Sequence, residues 1–237
     1  MKKLEKVLIF SISFLAILFF GAGLVSAEET NSVNTDDEEN LKVISTYEDA
    51  PIENSTYTQE DFLTEVKNSG DESLKKAVDN NSYYFTEDGS LVINLPTEKN
   101  GQIQPNCIAC VNHQIILSKV GSQYTYYGNW ITGVTGEGKA RLTLSKTVGW
   151  SNGYSGSLST SVSALSSTAG FSVTRSGSTT ASYSVSVPSN KTYAIQYRKV
   201  YKRQKIKQTR KLGGKVVGTN YIYANNYRHL AYRSVER

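Results

Sequence analysis

The sequence predicts a mainly β protein: an antiparallel sheet or sandwich domain over residues 106–237, preceded by a small acidic α+β segment. Three observations predict it. From about residue 114 onward, segments rich in Tyr, Val, Ile and Thr have strand-like content, and apolar and polar residues alternate at period two. No amphipathic helix of any length is read after residue 113. The charge is also split. Residues 28–105 hold 18 Asp/Glu against 5 Lys/Arg, whereas 106–237 hold 18 Lys/Arg against two acids, Glu137 and Glu236. A net charge of +5 hides these opposed halves. Such asymmetry points to a polyanionic partner for the basic half and to an acidic segment that could cover it.

Taken in order, residues 1–27 read as a secretory signal peptide. Lys2, Lys3 and Lys6 form a positive start, Val7 to Leu24 an apolar run, and Val25-Ser26-Ala27 a small-residue cleavage site. An uncleaved anchor helix is the alternative, since the apolar run approaches the length of a membrane span. Cleavage predicts an exported, secreted, extracellular product.

Residues 28–56 are acidic and polar and read as disordered. Residues 57–105 read as a small acidic α+β unit with a linker, resembling a pro-segment. Thr58-Gln-Glu-Asp61 is a helix start, with Phe62, Leu63 and Val66 on one face. A second helix fits Asp71 to Asp79, turning Leu74, Ala77 and Val78 inward. Ser82 to Phe85 and Leu91 to Leu95 flank a glycine-containing turn and form a hairpin. Such a unit is too small to be stable alone, and packing on the basic half would remedy that.

In the basic domain, Tyr124 to Ile131, Arg141 to Lys146, Tyr193 to Tyr201 and Lys215 to Tyr223 read as strands, and Gly213-Gly214 marks a hairpin. Between Ser151 and Asn190, Ser, Thr and Gly supply 24 of 40 residues. A linker is the ordinary reading of that composition. Leu158, Thr160, Val162 and Ala164 nevertheless alternate with serines, as do Phe171 and Val173, and then Ala181, Tyr183, Val185 and Val187. Period-two alternation predicts strands with one apolar and one hydroxyl face. Either they belong to a soluble sandwich, or they can rearrange into a transmembrane barrel, whose strands need about 9–11 alternating residues. Leu158, Val162, Phe171, Val173, Tyr183 and Val185 are the candidate lipid-facing positions.

These Ser/Thr-rich strands, ending in Ser184-Val-Ser-Val-Pro-Ser-Asn-Lys191 and followed by a Tyr- and Lys-rich strand, resemble the pore-forming module of the aerolysin and epsilon-toxin type. The resemblance covers roughly residues 140–225 and rests on texture. It implies a secreted β protein that oligomerises on a membrane and inserts a hairpin from each subunit. The chain departs from that pattern in its shortness, in lacking an evident receptor-binding domain, and in the scarcity of bulky apolar residues in the inserting segment. It is equally similar to small secreted proteins of Gram-positive bacteria.

The basic end carries Arg198, Lys199, Lys202, Arg203, Lys205, Lys207, Arg210 and Lys211 in one stretch. As a strand, it would place Arg198, Lys202 and Gln204 on one face and Lys199, Tyr201, Arg203, Lys205 and Lys207 on the other. Charges on both faces predict an edge strand or protruding ribbon, a placement that also guards against aggregation. With Tyr221, Tyr223 and Arg228, these residues are the candidate anion- and membrane-binding set. For an exported protein the partners implied are an anionic lipid or a phosphate-rich cell-wall polymer, with no dedicated nucleic-acid partner.

Cys107 and Cys110 are the only cysteines, and a local disulfide or two free thiols is the first reading. A zinc site with His113 and His229 is the arithmetical alternative, and a catalytic thiol a third. No metal or cofactor is expected. Two carboxylates in the basic half, one at a turn and one at the chain end, argue against glycosidase or triad chemistry. The expectation is a non-enzymatic protein that docks through the basic ribbon, with homo-oligomerisation into a β-pore as a further step. A soluble wall-binding module without membrane insertion is the alternative.

Overall fold

A computed structural model describes residues 41–53, 55–95 and 112–237. The chain is mainly β, with antiparallel pairing throughout. The expected signal peptide and the pair Cys107 and Cys110 lie outside the described residues.

The elements begin with strand β1 (Lys42–Glu48), helices α1 (Gln59–Asn68) and α2 (Glu72–Asp79), and strands β2 (Tyr83–Phe85) and β3 (Leu91–Leu95). Helix α1 starts at the cap expected at Thr58, whereas Asp71, expected as the first residue of the second helix, is its N-cap. Thr58 and Asp61 form a reciprocal capping box, and Asp71 accepts from the Leu74 amide. Phe62 and Val66 of α1 and Leu74, Ala77 and Val78 of α2 are buried, as their spacing predicts. The hairpin expected over 82–95 is β2–β3.

The basic half supplies β4 (His113–Tyr127), β5 (Ile131–Glu137), β6 (Ala140–Ser151), β7 (Gly153–Ser155), α3 (Val162–Ala169), β8 (Ser176–Val187), β9 (Thr192–Leu212) and β10 (Lys215–Glu236). Among the described residues, one sheet runs β1-β10-β9-β4-β3-β2, with β5 beside the first part of β9 and β7 beside β10. β6 and β8 form a separate two-stranded arm, in register from Ala140↔Val187 to Ser151↔Ser176. The β9–β10 turn is Gly213-Gly214, both with positive φ (57° and 80°), as a two-residue hairpin turn of this hand requires.

Three expectations are corrected. The reading of 28–56 as disordered fails for 42–48, because β1 pairs with β10 from Lys42↔Glu236 to Glu48↔Ala231. The small acidic α+β segment packs on the basic half, the arrangement that remedies its small size: Phe62, Leu74, Leu91 and Ile93 share one core with Leu117, Leu165, Phe171, Ile206 and Ile222. A helix exists after residue 113. Ser161 caps α3 by accepting from the Ala164 amide, and Gly170 ends it in the left-handed conformation. Its Leu165, Thr168 and Ala169 are buried, so tertiary packing overrides the period-two pattern. Consequently Leu158 and Val162 are not in a strand, and Phe171 and Val173 sit in a turn region, 3% and 2% exposed in that same core. Of the six candidate inserting residues, only Tyr183 and Val185 lie in a strand, β8.

The basic stretch is not an edge. β9 is hydrogen-bonded on both flanks, to β10 along its length and to β4 and β5 on the other side. Its charges are tolerated because neither face is covered end to end. Odd-numbered residues Tyr193, Ile195 and Tyr197 lie under the arm, with Leu142, Leu144, Val148 and Trp150. The even-numbered Ile206 lies under the helices. Cations occupy the uncovered half of each face.

Candidate functional site

The arm shows strand alternation in its plainest form. Leu142, Leu144, Val148 and Trp150 of β6 are buried against the main sheet, while Arg141, Thr143, Ser145, Thr147 and Gly149 are exposed. On β8, Ser184 and Thr180 face Thr143 and Thr147 across the pair at hydrogen-bonding distance, 2.8 and 3.3 Å. Each arm strand has twelve residues, enough for a tilted membrane crossing of about 9–11. One face is apolar apart from Lys146, which donates to Tyr197 Oη (3.3 Å), and the other is almost wholly hydroxyl.

At its base the arm is tied to β10. Asn152 Oδ1 accepts from the Tyr227 amide (2.8 Å), and Asn152 Nδ2 donates to the Ser172 carbonyl (2.7 Å). Residues 152–175, which join β6 to β8, carry α3 and are anchored in the helical core. The Gln208 amide meets both the Ser159 backbone amide (2.8 Å) and the Ser159 hydroxyl (2.9 Å). The strand β1 clasps the arm from the edge of the sheet, where Ser45 Oγ lies 2.5 Å from Tyr183 Oη and Tyr47 stacks on Tyr183.

Beyond the arm, the odd face of β9 opens into a ladder of cations and tyrosines. Arg203 lies 3.3 Å over the Tyr126 ring and donates through Nε to Asn225 Oδ1 (2.7 Å). Lys205 lies 4.2 Å over Tyr221 and 5.9 Å from Tyr223. Lys207 is in register with Tyr221 and Ser118. No carboxylate pairs with these three cations among the described residues. Cation–π contacts fix Arg203 and Lys205 and leave their charge unneutralised. The ladder runs toward the β9–β10 turn, where Val216 and Val217 are 59% and 56% exposed and Leu212 is exposed beside Lys211 and Lys215.

Thus Arg203, Lys205, Lys207, Tyr221 and Tyr223 of the expected set come together. Arg198, Lys202 and Arg228 do not join them. Arg198 stacks over Tyr127 and Trp130 (3.9 and 4.2 Å), and Lys202 shares a cleft with Arg228. Lys199 is partly buried, and desolvation pushes its ammonium down. Arg210 lies against Gly218, and Lys211 sits near the turn. Sequence reasoning missed Tyr126, Asn225 and the apolar turn. Only the register of β4 and β10 against β9 reveals them.

The ladder meets the arm through stacked rings. Tyr126 neighbours Tyr201, Tyr201 meets Tyr227 edge-on, and Tyr227 stacks on Trp150. Burial, then the neighbouring Tyr227 and Tyr126, pushes the Tyr201 phenol up to about 12.

No protein-family model and no curated protein matches the chain. Among solved structures, the chain is similar to parasporin-2, a Bacillus thuringiensis toxin that recognises cancer cells. The identity is 13% and the TM-score 0.16, over 81% of this chain and 93% of that one. A likeness of that size carries no argument.

Proposed function

We propose that this chain is an exported, non-enzymatic protein that binds anionic membrane or cell-envelope surfaces and then oligomerises, each copy contributing its β6–β8 arm to a β-pore. The observation that carries the docking step is the ladder: Arg203 and Lys205 are held over tyrosines, Lys207 is in register with Tyr221, and no carboxylate pairs with the three among the described residues. The exposed Leu212, Val216 and Val217 beside it supply an apolar edge that can enter the lipid interface. The arm supports the second step, because among the described residues it pairs with no strand of the main sheet, and one of its faces is apolar apart from Lys146 while the other is mostly hydroxyl.

Insertion would require residues 152–175 to leave the core they share with α1, α2 and β3. The acidic segment would then act as an intramolecular restraint. The same burial favours a second reading, a soluble module that binds a phosphate-rich wall polymer and keeps its arm in place. Nucleic acid would occupy the ladder in vitro without being its target.

Each Lys or Arg near an anionic membrane surface contributes about 1 kcal/mol, so removing two weakens binding by about 30-fold. The test is sedimentation of the full chain with anionic vesicles, neutral vesicles and purified wall polymer. The paired substitution Lys205→Ser and Lys207→Ser should release the protein from anionic vesicles. Unchanged binding would sink the docking assignment. Sedimentation with wall polymer alone would favour the second reading.

A further inference from the structure

A cleft of about 270 Å³ opens on the even face of β9, across the sheet from the ladder. Its lining includes Lys202, Arg228 and His229, with Thr125, Tyr127 and Glu48. From these we infer that the cleft is a second, separate binding site for a tetrahedral oxyanion of the phosphate type.

The site is built by an irregularity in β10. Between Tyr227 and His229 the strand holds one residue more than β9 opposite, which pairs Tyr201 with Tyr227 and Val200 with His229. Such a bulge bends the strand and re-aims side chains. Arg228, the extra residue, lines the cleft, and its carbonyl accepts from the Ile52 amide (2.7 Å). The Leu230 carbonyl accepts from Asp49 (3.0 Å), so the segment after β1 is fixed as the rim. Lys202 donates to Thr125 Oγ1 (3.1 Å), which holds its ammonium at the opposite wall.

His229 is the telling member. Its side chain is 12% exposed, and neither ring nitrogen makes a hydrogen bond among the described residues. Glu48 Oε2 lies 3.3 Å from Nε2 without the alignment of a hydrogen bond. Buried polar groups are ordinarily satisfied, and a neutral imidazole always has one N–H to give. Lys202 and Arg228 carry positive charge beside it, against the single lining carboxylate of Glu48, whose side chain is 55% exposed. That combination suits an acceptor-only, multiply charged ligand. The volume falls below the range of about 300–1,000 Å³ that encloses drug-sized molecules, so the cleft takes a small group or the tip of a larger one.

The inference does not rest on the ladder, and the test keeps them apart. The chain has two histidines, so His113 is an internal control for His229 in ring-nitrogen NMR spectra of the full chain. Inorganic phosphate is titrated at constant ionic strength. A saturable shift of His229 that leaves His113 unmoved is expected, with affinity about tenfold weaker in Arg228→Ala and in Lys202→Ala. The ladder pair Lys205→Ser and Lys207→Ser should respond as the native protein does. Backbone amide spectra check that each variant is folded. Parallel titrations with a sugar phosphate and a water-soluble glycerophosphate headgroup show by relative affinity whether the oxyanion belongs to a glycan or a lipid. A His229 response that fails to saturate, matches that of chloride, or survives both substitutions would overturn the assignment, whatever the vesicle result.

Discussion

The indole of Trp150 lies flat on the phenol ring of Tyr227, with centroids 4.8 Å apart and planes 11° from parallel. This stack joins the arm to the sheet, as does Tyr183 on Tyr232 at 5.6 Å. Trp150 is 8% exposed, and its Nε1 makes no hydrogen bond among the described residues, so its contribution is one of packing. Trp150→Ala should lower stability by about 3–5 kcal/mol in chemical denaturation. Trp150→Phe should recover most of the loss, since no hydrogen bond is sacrificed. Limited proteolysis of the alanine variant should cut first within 140–187.

Across the arm, the same indole occupies the space that a side chain at Gly177 would need. A Cβ there would lie 2.6 Å from Trp150 Cζ2 and 2.9 Å from Cε2. With Tyr227 stacked on the ring, the indole has little room to retreat. Gly177→Ala should therefore destabilise by about 1–3 kcal/mol. In a Trp150→Ala background the same change should be nearly neutral. A double-mutant cycle measures the coupling, and additive effects would contradict the wedge.

Alkali should weaken the fold through its buried phenols. Burial pushes Tyr201 up to about 12 from 10.0, and Tyr227 and Tyr232 also upward. Above pH 10 the unfolded chain loses those protons while the folded chain keeps them. Stability then falls as pH rises, and the Tyr201 share levels off once its folded value is passed. Tyr201→Phe should remove about 1.4 kcal/mol per pH unit of that slope between pH 10 and 12.

Acid should act on the clasp at the ends of β1 and β10. Glu236 pairs with Lys191 and, at 3.4 Å, with Lys42. The Lys191 hydrogen bond, opposed by partial burial and aided by Lys42, holds the Glu236 carboxyl below its ordinary 4.5. A depressed value stabilises the fold above the unfolded pKa and loses that contribution as pH falls through the folded one. The melting-temperature gap between the native protein and Glu236→Gln should be constant above the ordinary carboxylate value and shrink steadily as pH falls below it and through the lowered folded value. A gap that persists at low pH would show that the substitution acts by other means.

Much of this was legible beforehand. The capped start at Thr58, the second helix to Asp79, the hairpin over 82–95 and the Gly213-Gly214 turn follow from local chemistry, and the structure has them all. The two faces assigned to Arg198 through Lys207 are also the two faces of β9. The reading of an edge strand failed because the bulky apolar residues change parity along β9. Tyr193, Ile195 and Tyr197 are odd, whereas Ile206 is even. One strand thus serves two cores on opposite faces, and charges on both faces mark where each cover stops. Helix α3 was hidden because Leu158, Thr160, Val162 and Ala164 alternate with serines, although Val162, Leu165 and Ala169 also fit helical spacing, and what settled it was a core contributed by α1 and β3, distant in sequence. Strand β1 was hidden by its acidic neighbours. The cleft around His229 depends on a bulge, and a bulge leaves no trace in composition.

The most direct test of the arm's role compares two dye positions on β8. Val185 belongs to the apolar face and Ser182 to the exposed hydroxyl face. Val185→Cys and Ser182→Cys, each in a Cys107→Ser, Cys110→Ser background, are labelled with an environment-sensitive dye and bound to anionic vesicles containing a lipid-borne quencher. Insertion of the arm predicts strong quenching at 185 and little at 182. Equal and negligible quenching at both positions, in protein shown to be vesicle-bound, would contradict the pore and leave a surface-binding protein whose arm never moves.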